Sequence, residues 1–257
     1  MQADFSRDRK WLTYVRCPEG TVWRIGVDGS ERRQLTVPPL FALNPRWAPD
    51  GTEIAFYGRR PGEPPRLYVV PAKGGAVRQL THGDNGSIGD TDFTWSADGA
   101  SIIFGANLAD QSLDPAQRQV LDLIEMASQR ISMLPASEGL WSPRSSRDGR
   151  YAAALGPGNR LWLYDIEAHT RAQLTKIGAG WPNWSQDGKY VYFEENPGVD
   201  WLRVRISDRK VERVMSLESL KMAPLSLSWV GLTPDDLPIS TRDAGGTEIY
   251  ELDWQAP

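Results

Sequence analysis

Six related phrases run through this chain, and one of them is PRWAPDGTEIAFYG at residues 45–58. The other five are FSRDRKWLTYV from Phe5, FTWSADGASIIFG from Phe93, PRSSRDGRYAAAL from Pro143, PNWSQDGKYVYFE from Pro182 and LSWVGLTPDDLPIST from Leu227. Their aligned acids are Asp8, Asp50, Asp98, Asp148, Asp187 and Asp235, spaced about 40 to 50 residues apart, which is the length of one four-stranded propeller blade. The repeat therefore predicts an all-β fold, a six-bladed β-propeller.

Each copy has the same local pattern. A short apolar stretch ends at Trp47, Trp95, Trp184 or Trp229. In the turn that follows, we expect the Asp side chain to accept backbone N–H groups and the Gly to take a positive φ. After the turn come apolar residues at consecutive positions, as in 102–104 and 190–193. Such runs are typical of strands that are covered on both faces by neighbouring sheets.

Two further strands complete most copies. The third is expected at residues 22–27, 66–70, 119–124, 160–166, 201–206 and 248–254. The fourth is expected at residues 32–36, 77–81 and 171–175, where polar residues are more frequent, as suits an outermost strand with an exposed edge. We expect the insertion at 106–118 to be a surface loop.

The repeats assign the whole chain, residues 1–257, to one propeller domain. Blades are expected at approximately 1–40, 41–87, 88–137, 138–177, 178–220 and 221–257. The last blade is expected to have three strands, because the sequence ends at Pro257 before a fourth. Its final strand, residues 249–254, would then present an unpaired edge for a second molecule or an upstream segment.

Composition excludes several classes of function. The net charge of −4 and the pI near 5.4 argue against nucleic-acid binding by this chain alone. The single cysteine, Cys17, excludes an intrachain disulfide. The opening segment is charged, and no run of 18 apolar residues follows, so neither a signal peptide nor a membrane span is expected. Whether the compartment is cytoplasmic or periplasmic stays open.

The phrases PRWAPDG, FTWSADG and PNWSQDG, together with the closing QLT, resemble the TolB-type propeller repeat, a relative of the WD40 repeat. The segments from Pro18, Ser137 and Trp229 also resemble the C-terminal propeller of bacterial winged-helix regulators. That resemblance implies a binding or sensor domain of a larger regulatory protein. The alternatives are a stand-alone TolB-like scaffold that binds a protein partner and, third, the accessory propeller of a serine hydrolase.

The sequence contains few residues suited to catalysis. It has no G-x-S-x-G nucleophile elbow and only two histidines, His82 and His169, which are expected on opposite faces of the propeller. It also lacks a zinc-binding pattern. From this inventory the chain is expected not to be an enzyme.

A binding site is expected at the mouth of the central channel, where the inner strands begin. The residues chosen there are Arg46, Asp92, Arg144, Trp181 and Asn183. The two arginines suit a carboxylate, so the expected partner is a protein or peptide, or a small anionic ligand. The alternative is that these groups bind channel waters and one another.

No cofactor is expected, with calcium as the one alternative. The loop at residues 83–92 contains Asp84, Asp90 and Asp92, whose oxygen atoms are the ligands that calcium prefers. The loop lacks the spacing of an EF-hand, and Asp and Asn also form Asx turns.

Overall fold

The computed structural model describes residues 3–83, 86–114, 118–198, 200–216, 218 and 230–240. Within these residues the chain forms β-strands and one short 3-10 turn, Pro157–Asn159, and no α-helix. In the first three units the strands are β1 (Ala3–Phe5), β2 (Trp11–Arg16), β3 (Thr21–Gly26), β4 (Arg33–Gln34), β5 (Phe41–Trp47), β6 (Glu53–Arg59), β7 (Arg66–Pro71), β8 (Arg78–Gln79), β9 (Ser87–Trp95), β10 (Ser101–Leu108), β11 (Gln119–Glu125) and β12 (Ile131–Met133).

The remaining strands continue the same order. They are β13 (Trp141–Ser145), β14 (Tyr151–Gly156), β15 (Arg160–Asp165), β16 (Thr170–Trp184), β17 (Tyr190–Glu195), β18 (Asp200–Arg205), β19 (Val211–Ser216), β20 (Val230–Leu232) and β21 (Pro238–Ser240). None of the described segments is a helix long and apolar enough to cross a membrane.

Consecutive strands pair antiparallel within each unit. Strands β1–β4, β5–β8 and β9–β12 each form a four-stranded meander, and β13–β19 form one seven-stranded sheet. The long strand β16 joins two units in that sheet, since residues 170–173 pair with β15 and residues 179–184 pair with β17. The sixth repeat contributes the hairpin β20–β21. The structure therefore confirms an all-β fold but does not by itself establish six four-stranded blades.

The predicted Asp-Gly turn has the expected geometry. In the third repeat, the Ser96 hydroxyl and the Ala100 N–H both donate to Asp98 Oδ1, at 2.6 and 2.9 Å. The Gly99 φ is +75°, a region that glycine enters without steric cost. Arg9 and Asp236 replace glycine in the first and sixth repeats and still adopt φ of 63° and 59°.

The QLT sequence closes the outer edge of a unit through side-chain hydrogen bonds. Thr36, Thr81 and Thr175 are buried. Each hydroxyl accepts the N–H of the second residue of the third strand, namely Val22, Leu67 and Leu161, at 2.8, 3.0 and 3.1 Å. The glutamine of the motif donates to the carbonyl of the same threonine. A short fourth strand is therefore enough, because the threonine hydroxyl accepts the backbone N–H that a carbonyl of a longer fourth strand would otherwise accept.

The core lies between adjacent units. One cluster packs Val22 and Leu35 of the first unit on Phe56 of the second, and others join the second unit to the third, the third to the fourth and the fourth to the fifth. Indoles add hydrogen bonds between units: Trp95 Nε1 donates to the Arg46 carbonyl at 3.2 Å, and Trp184 Nε1 to the Arg144 carbonyl at 2.7 Å. The strands are thus buried on both faces, as the consecutive apolar runs predict.

Residues of the sixth repeat contact both the fifth and the first. The Gln186 N–H donates to Asp236 at 3.0 Å, and Arg9 donates to Asp235 and to the Pro234 carbonyl, at 2.8 and 2.9 Å. The six repeats therefore contact one another in a cycle. The expected edge strand at residues 249–254 lies outside the described residues.

Candidate functional site

Four inner strands bring charged side chains together at the centre of the ring. They are Asp4 of β1, Arg46 of β5, Asp92 of β9 and Arg144 of β13, called here the channel quartet. Asp92 binds both arginines, with Oδ1 at 3.5 Å from Arg46 Nη2 and Oδ2 at 2.5 Å from Arg144 Nη2. Asp4 Oδ2 accepts the Trp47 N–H at 2.8 Å. Two cations therefore face two carboxylates.

Asp92 is the central acceptor of the quartet. Its side chain is only 10% exposed, and the Ser142 hydroxyl donates to Oδ2 at 2.8 Å. Burial alone would raise the pKa of Asp92, but the charges of Arg144 and Arg46 and these hydrogen bonds lower it to about 2. Asp92 is accordingly ionised at neutral pH.

Burial also shifts the pKa of two other members of the quartet, Arg144 and Asp4. Burial and the neighbouring charge of Arg46 lower the pKa of Arg144 to about 10, although Asp92 opposes the shift. Burial raises the pKa of Asp4, and the attraction of Arg46 only partly offsets this. The quartet is a tightly coupled group in which each charge depends on the others.

Backbone distortions precede three of the inner-strand side chains at the channel. Asn44, Ser142 and Trp181 have φ of 49°, 52° and 49°, and each comes directly before a proline. The pairing register shifts at the same points, between Leu43 and Arg46, Trp141 and Arg144, and Gly180 and Asn183. Such bulges redirect side chains and are frequent beside functional sites.

The structure brings together three of the five residues predicted for the channel mouth. Arg46, Asp92 and Arg144 form the quartet with Asp4. Trp181 and Asn183 lie on β16, where Asn183 Nδ2 donates to the Trp181 carbonyl at 2.7 Å. The Trp181 ring packs on Tyr192 and Trp201. Arg46 and Arg144 thus both contact Asp92, and ligand binding at the channel mouth stays a prediction.

The carboxylates considered for calcium have other partners. Asp90 is buried and lies 3.4 Å from Arg66 Nη1, and it also accepts from the hydroxyls of Thr81 and Ser87. Asp92 belongs to the quartet. Asp84 lies outside the described residues, among which no group of three metal-binding side chains occurs. Asp90 and Asp92 thus already have partners in the protein, and calcium binding by this loop stays a prediction.

A cavity of about 310 Å³ opens at the other end of the inner strands, where they meet the Asp-Gly turns. All six repeats contribute to its lining, with residues 5–7, 47–49, 95–97, 145–147, 184–186 and 232–234. Asp4 and Asn183 also line it, so it reaches the quartet. We call this cavity the turn-face pocket.

Several buried polar atoms of the inner strands lack a hydrogen-bond partner among the described residues. They are Arg46 Nε, Arg144 Nε, Trp47 Nε1, Ser145 Oγ and Thr91 Oγ1. Buried polar groups in folded proteins nearly always have a partner in the protein, in water or in a ligand. The channel and the turn-face pocket are therefore polar sites with unused hydrogen-bonding groups, and of the two only the channel was predicted from the sequence.

The curated relatives found by sequence comparison are named as peptidases. The chain is 31% identical over 159 residues to "Uncharacterized peptidase YuxL" of Bacillus subtilis, covering 60% of this chain and 22% of that protein. It is 36% identical over 205 residues to "Tricorn protease homolog 1" of Streptomyces coelicolor, covering 74% and 18%. The chain thus spans about a fifth of the length of these relatives. No family model matches it.

Solved structures show the fold. A putative TolB from Agrobacterium tumefaciens aligns over 83% of this chain and 79% of its own, at a TM-score of 0.69 and 19% identity. TolB from Acinetobacter baumannii aligns over 92% of this chain and 64% of its own, at a TM-score of 0.65 and 17% identity. An oligogalacturonate lyase in complex with manganese aligns over 75% and 61%, at a TM-score of 0.60 and 14% identity.

These relatives correct two predictions. The expectation of a non-catalytic sensor domain of a regulatory protein is wrong, because the curated relatives are named peptidases, and no comparison indicates a winged-helix context. The expectation that the chain is no enzyme fails for the same reason. It relied on a missing nucleophile elbow, but a chain that covers about a fifth of its relatives need not contain the residues that carry their activity. The comparisons show relatives that are named as peptidases and, for this chain, the β-propeller fold of TolB-like proteins.

Proposed function

We propose that this chain is the six-bladed β-propeller of a peptidase-type hydrolase and binds the peptide substrate at the channel mouth. The observation that carries the proposal is the identity of 31% and 36% to proteins named as peptidases, over 60% and 74% of the chain. The cycle of contacts through Arg9, Asp235 and Asp236 supports closure of six blades into a ring.

The channel mouth offers a peptide both donors and acceptors. Asp92 contacts both arginines and Asp4 is the second carboxylate near them, so a ligand carboxylate would have to displace Asp92 from Arg144. Trp181 is half-buried, and Asn183 uses one donor on the Trp181 carbonyl. We therefore assign the peptide contacts chiefly to Trp181 and Asn183, and we place the charged residues of the quartet next to them in the channel.

Hydrolysis in this proposal depends on residues outside the described part of the chain. Within it, the turn serines Ser6, Ser96, Ser146 and Ser185 each donate to the aspartate of their own turn. His82 lies beside Gln79, and the His169 ring contacts the Tyr164 hydroxyl. These groups already have partners within the propeller, and we assign the binding of the substrate to the propeller.

The test is peptide hydrolysis by the full-length protein that contains this chain. We expect fluorogenic peptides to be cleaved, and Asn183→Ala and Trp181→Leu to raise KM while kcat changes little, since these residues bind substrate without reacting. Met133→Ala on β12, at a side chain that is 51% exposed, is the matched control. Absence of peptidase activity, or equal KM values in folded channel-mouth variants, would contradict the proposal.

A further inference from the structure

The turn-face pocket has a charge pattern of its own. The cationic residues in its lining are Arg7, Arg9 and Arg147, and Asp4 is its one carboxylate among the described residues. Asp235 balances Arg9, at 2.8 Å. Asp4 accepts the Trp47 N–H and faces the arginines of the quartet. The remaining charges, those of Arg7 and Arg147, have no carboxylate partner in the described structure.

These two arginines hold equivalent places in the repeat. Each directly follows the turn serine that comes immediately after an inner strand, Ser6 after β1 and Ser146 after β13. The two repeats are three steps apart in either direction around the cycle of six. Arg147 Nη1 donates only to the neutral Gln186, at 2.5 Å, and Arg7 makes no hydrogen bond within the described residues. Both guanidinium groups thus remain available at the rim on opposite sides.

The wall of the pocket adds two buried donors without partners. Trp47 is 6% exposed, and its Nε1 has no acceptor, although the equivalent Trp95 and Trp184 donate to carbonyl groups. Ser145 occupies the place of this tryptophan in the fourth repeat. Replacing an indole by a hydroxymethyl group leaves space on that side, and the Ser145 hydroxyl is buried without a partner. The turn-face pocket therefore combines free space, the positive charges of Arg7 and Arg147, and two hydrogen-bond donors without partners.

We propose that the turn-face pocket binds a carboxylate-bearing ligand, held at the rim by Arg7 and Arg147 and deeper by Trp47 Nε1 and Ser145 Oγ. Four turn aspartates do not compete, because Asp8, Asp98, Asp148 and Asp187 each accept N–H and O–H groups of their own turn. Asp235 is paired with Arg9. A guanidinium group binds a carboxylate through paired N–H donors. The cavity is near the lower end of the size range of small-molecule sites. This inference rests on the pocket alone and does not depend on the proposed function.

Binding of glutarate and of its uncharged analogue glutaramide to the 257-residue chain tests the proposal by calorimetry. We expect glutarate to bind and glutaramide not to bind. Arg7→Gln/Arg147→Gln is expected to weaken glutarate binding by about tenfold or more, whereas Arg33→Gln/Arg160→Gln, which removes two exposed charges elsewhere, leaves it unchanged. Equal affinities of the wild type and the Arg7/Arg147 variant, or no glutarate binding, would overturn the site.

Two further measurements test the deeper donors and identify the kind of carboxylate that binds. Trp47→Phe removes an N–H that has no protein acceptor, so it is expected to weaken glutarate binding while the melting temperature stays close to that of the wild type. Unchanged affinity in that variant would contradict the deeper contacts.

Three peptides distinguish a terminal carboxylate from a side-chain carboxylate. They are a short peptide with a free C-terminus, its amidated form, and an amidated peptide with an acidic side chain. Failure of all carboxylates to bind would overturn the proposal.

Discussion

At the scale of single residues, the channel quartet is where charge matters most. Asp92 is shared by Arg46 and Arg144, which come from two other strands and are 18% and 7% exposed. Removing one partner from a buried ion pair leaves the opposite charge without compensation, which is more costly than the pair itself is stabilising. Here two arginines would be left, with Asp4 as the remaining carboxylate near them.

Replacement of Asp92 by Asn is therefore expected to lower the free energy of unfolding by about 3 to 5 kcal/mol. Ser142→Ala is the matched control, since it removes a single hydrogen bond to the same carboxylate and is expected to cost about 1 kcal/mol. Urea unfolding of both variants at neutral pH gives the comparison. If the Asp92→Asn protein were as stable as the Ser142→Ala protein, the ion pairs of the quartet would contribute little to the free energy of unfolding.

Local sequence predicted the turn residues accurately and the quartet only in part. Gly51 and Gly99 have φ of +74° and +75° in the turns that their Asp-Gly pairs indicate. The pairing of Asp92 with Arg46 and Arg144 could not be predicted in the same way, because it joins residues about 50 positions apart on three strands. Repeat alignment placed all three at the channel, but it could not tell whether they bind a ligand or one another.

At the scale of the element, the outer strand of a unit depends on one hydroxyl. Thr175 accepts the Leu161 N–H at 3.1 Å and donates to the Ile177 carbonyl at 2.9 Å, and it is 2% exposed. The sequence indicated a fourth strand from the QLT pattern, and the structure shows why threonine follows leucine. Leu174 fills the core while the next residue satisfies the backbone.

Thr175→Val keeps the shape of the side chain and removes both hydrogen bonds, so the buried Leu161 N–H loses its acceptor. The expected loss is about 1 to 3 kcal/mol in the free energy of unfolding. Thr175→Ser keeps the hydroxyl and is expected to lose distinctly less. Thermal unfolding of both proteins measures the difference, and equal losses would show that the methyl group, not the hydroxyl, stabilises this edge.

At the scale of the whole molecule, the fold followed from the period of the repeat, whereas the functional context did not. Regular turns and consecutive apolar runs specify stacked sheets, and these features are shared by TolB and by propellers joined to other activities. The absence of a nucleophile motif was informative only about this chain. The sixth repeat shows a further limit. Leu232 lines the pocket at the position that Trp47, Trp95 and Trp184 hold in their own copies, whereas the sequence pattern assigns that position to Trp229.

Stability of the whole ring is expected to fall steeply in acid. The pKa of Asp8, Asp98 and Asp148 is lowered from 3.8 chiefly because the preceding serine donates a hydrogen bond, and that of Asp187 chiefly because the Lys189 N–H does so. The pKa of Asp92 falls to about 2 in the quartet. A carboxylate with a lowered pKa in the folded state contributes stability that is present above its unfolded value and lost as the pH falls towards its folded value. Four of the turns and the channel therefore weaken together below pH 3.8.

Urea unfolding between pH 7 and pH 2 measures this dependence. We expect little change down to about pH 5 and a continuous loss below about pH 4, where the turn aspartates and Asp92 begin to bind protons in the unfolded chain. Asp98→Asn is the matched variant, because an amide oxygen still accepts the Ala100 N–H but does not titrate. Its stability should depend less on pH in this range than that of the wild type. Parallel pH profiles for the two proteins would contradict the assignment of acid sensitivity to the turns, and would leave the buried charges of the channel as its source.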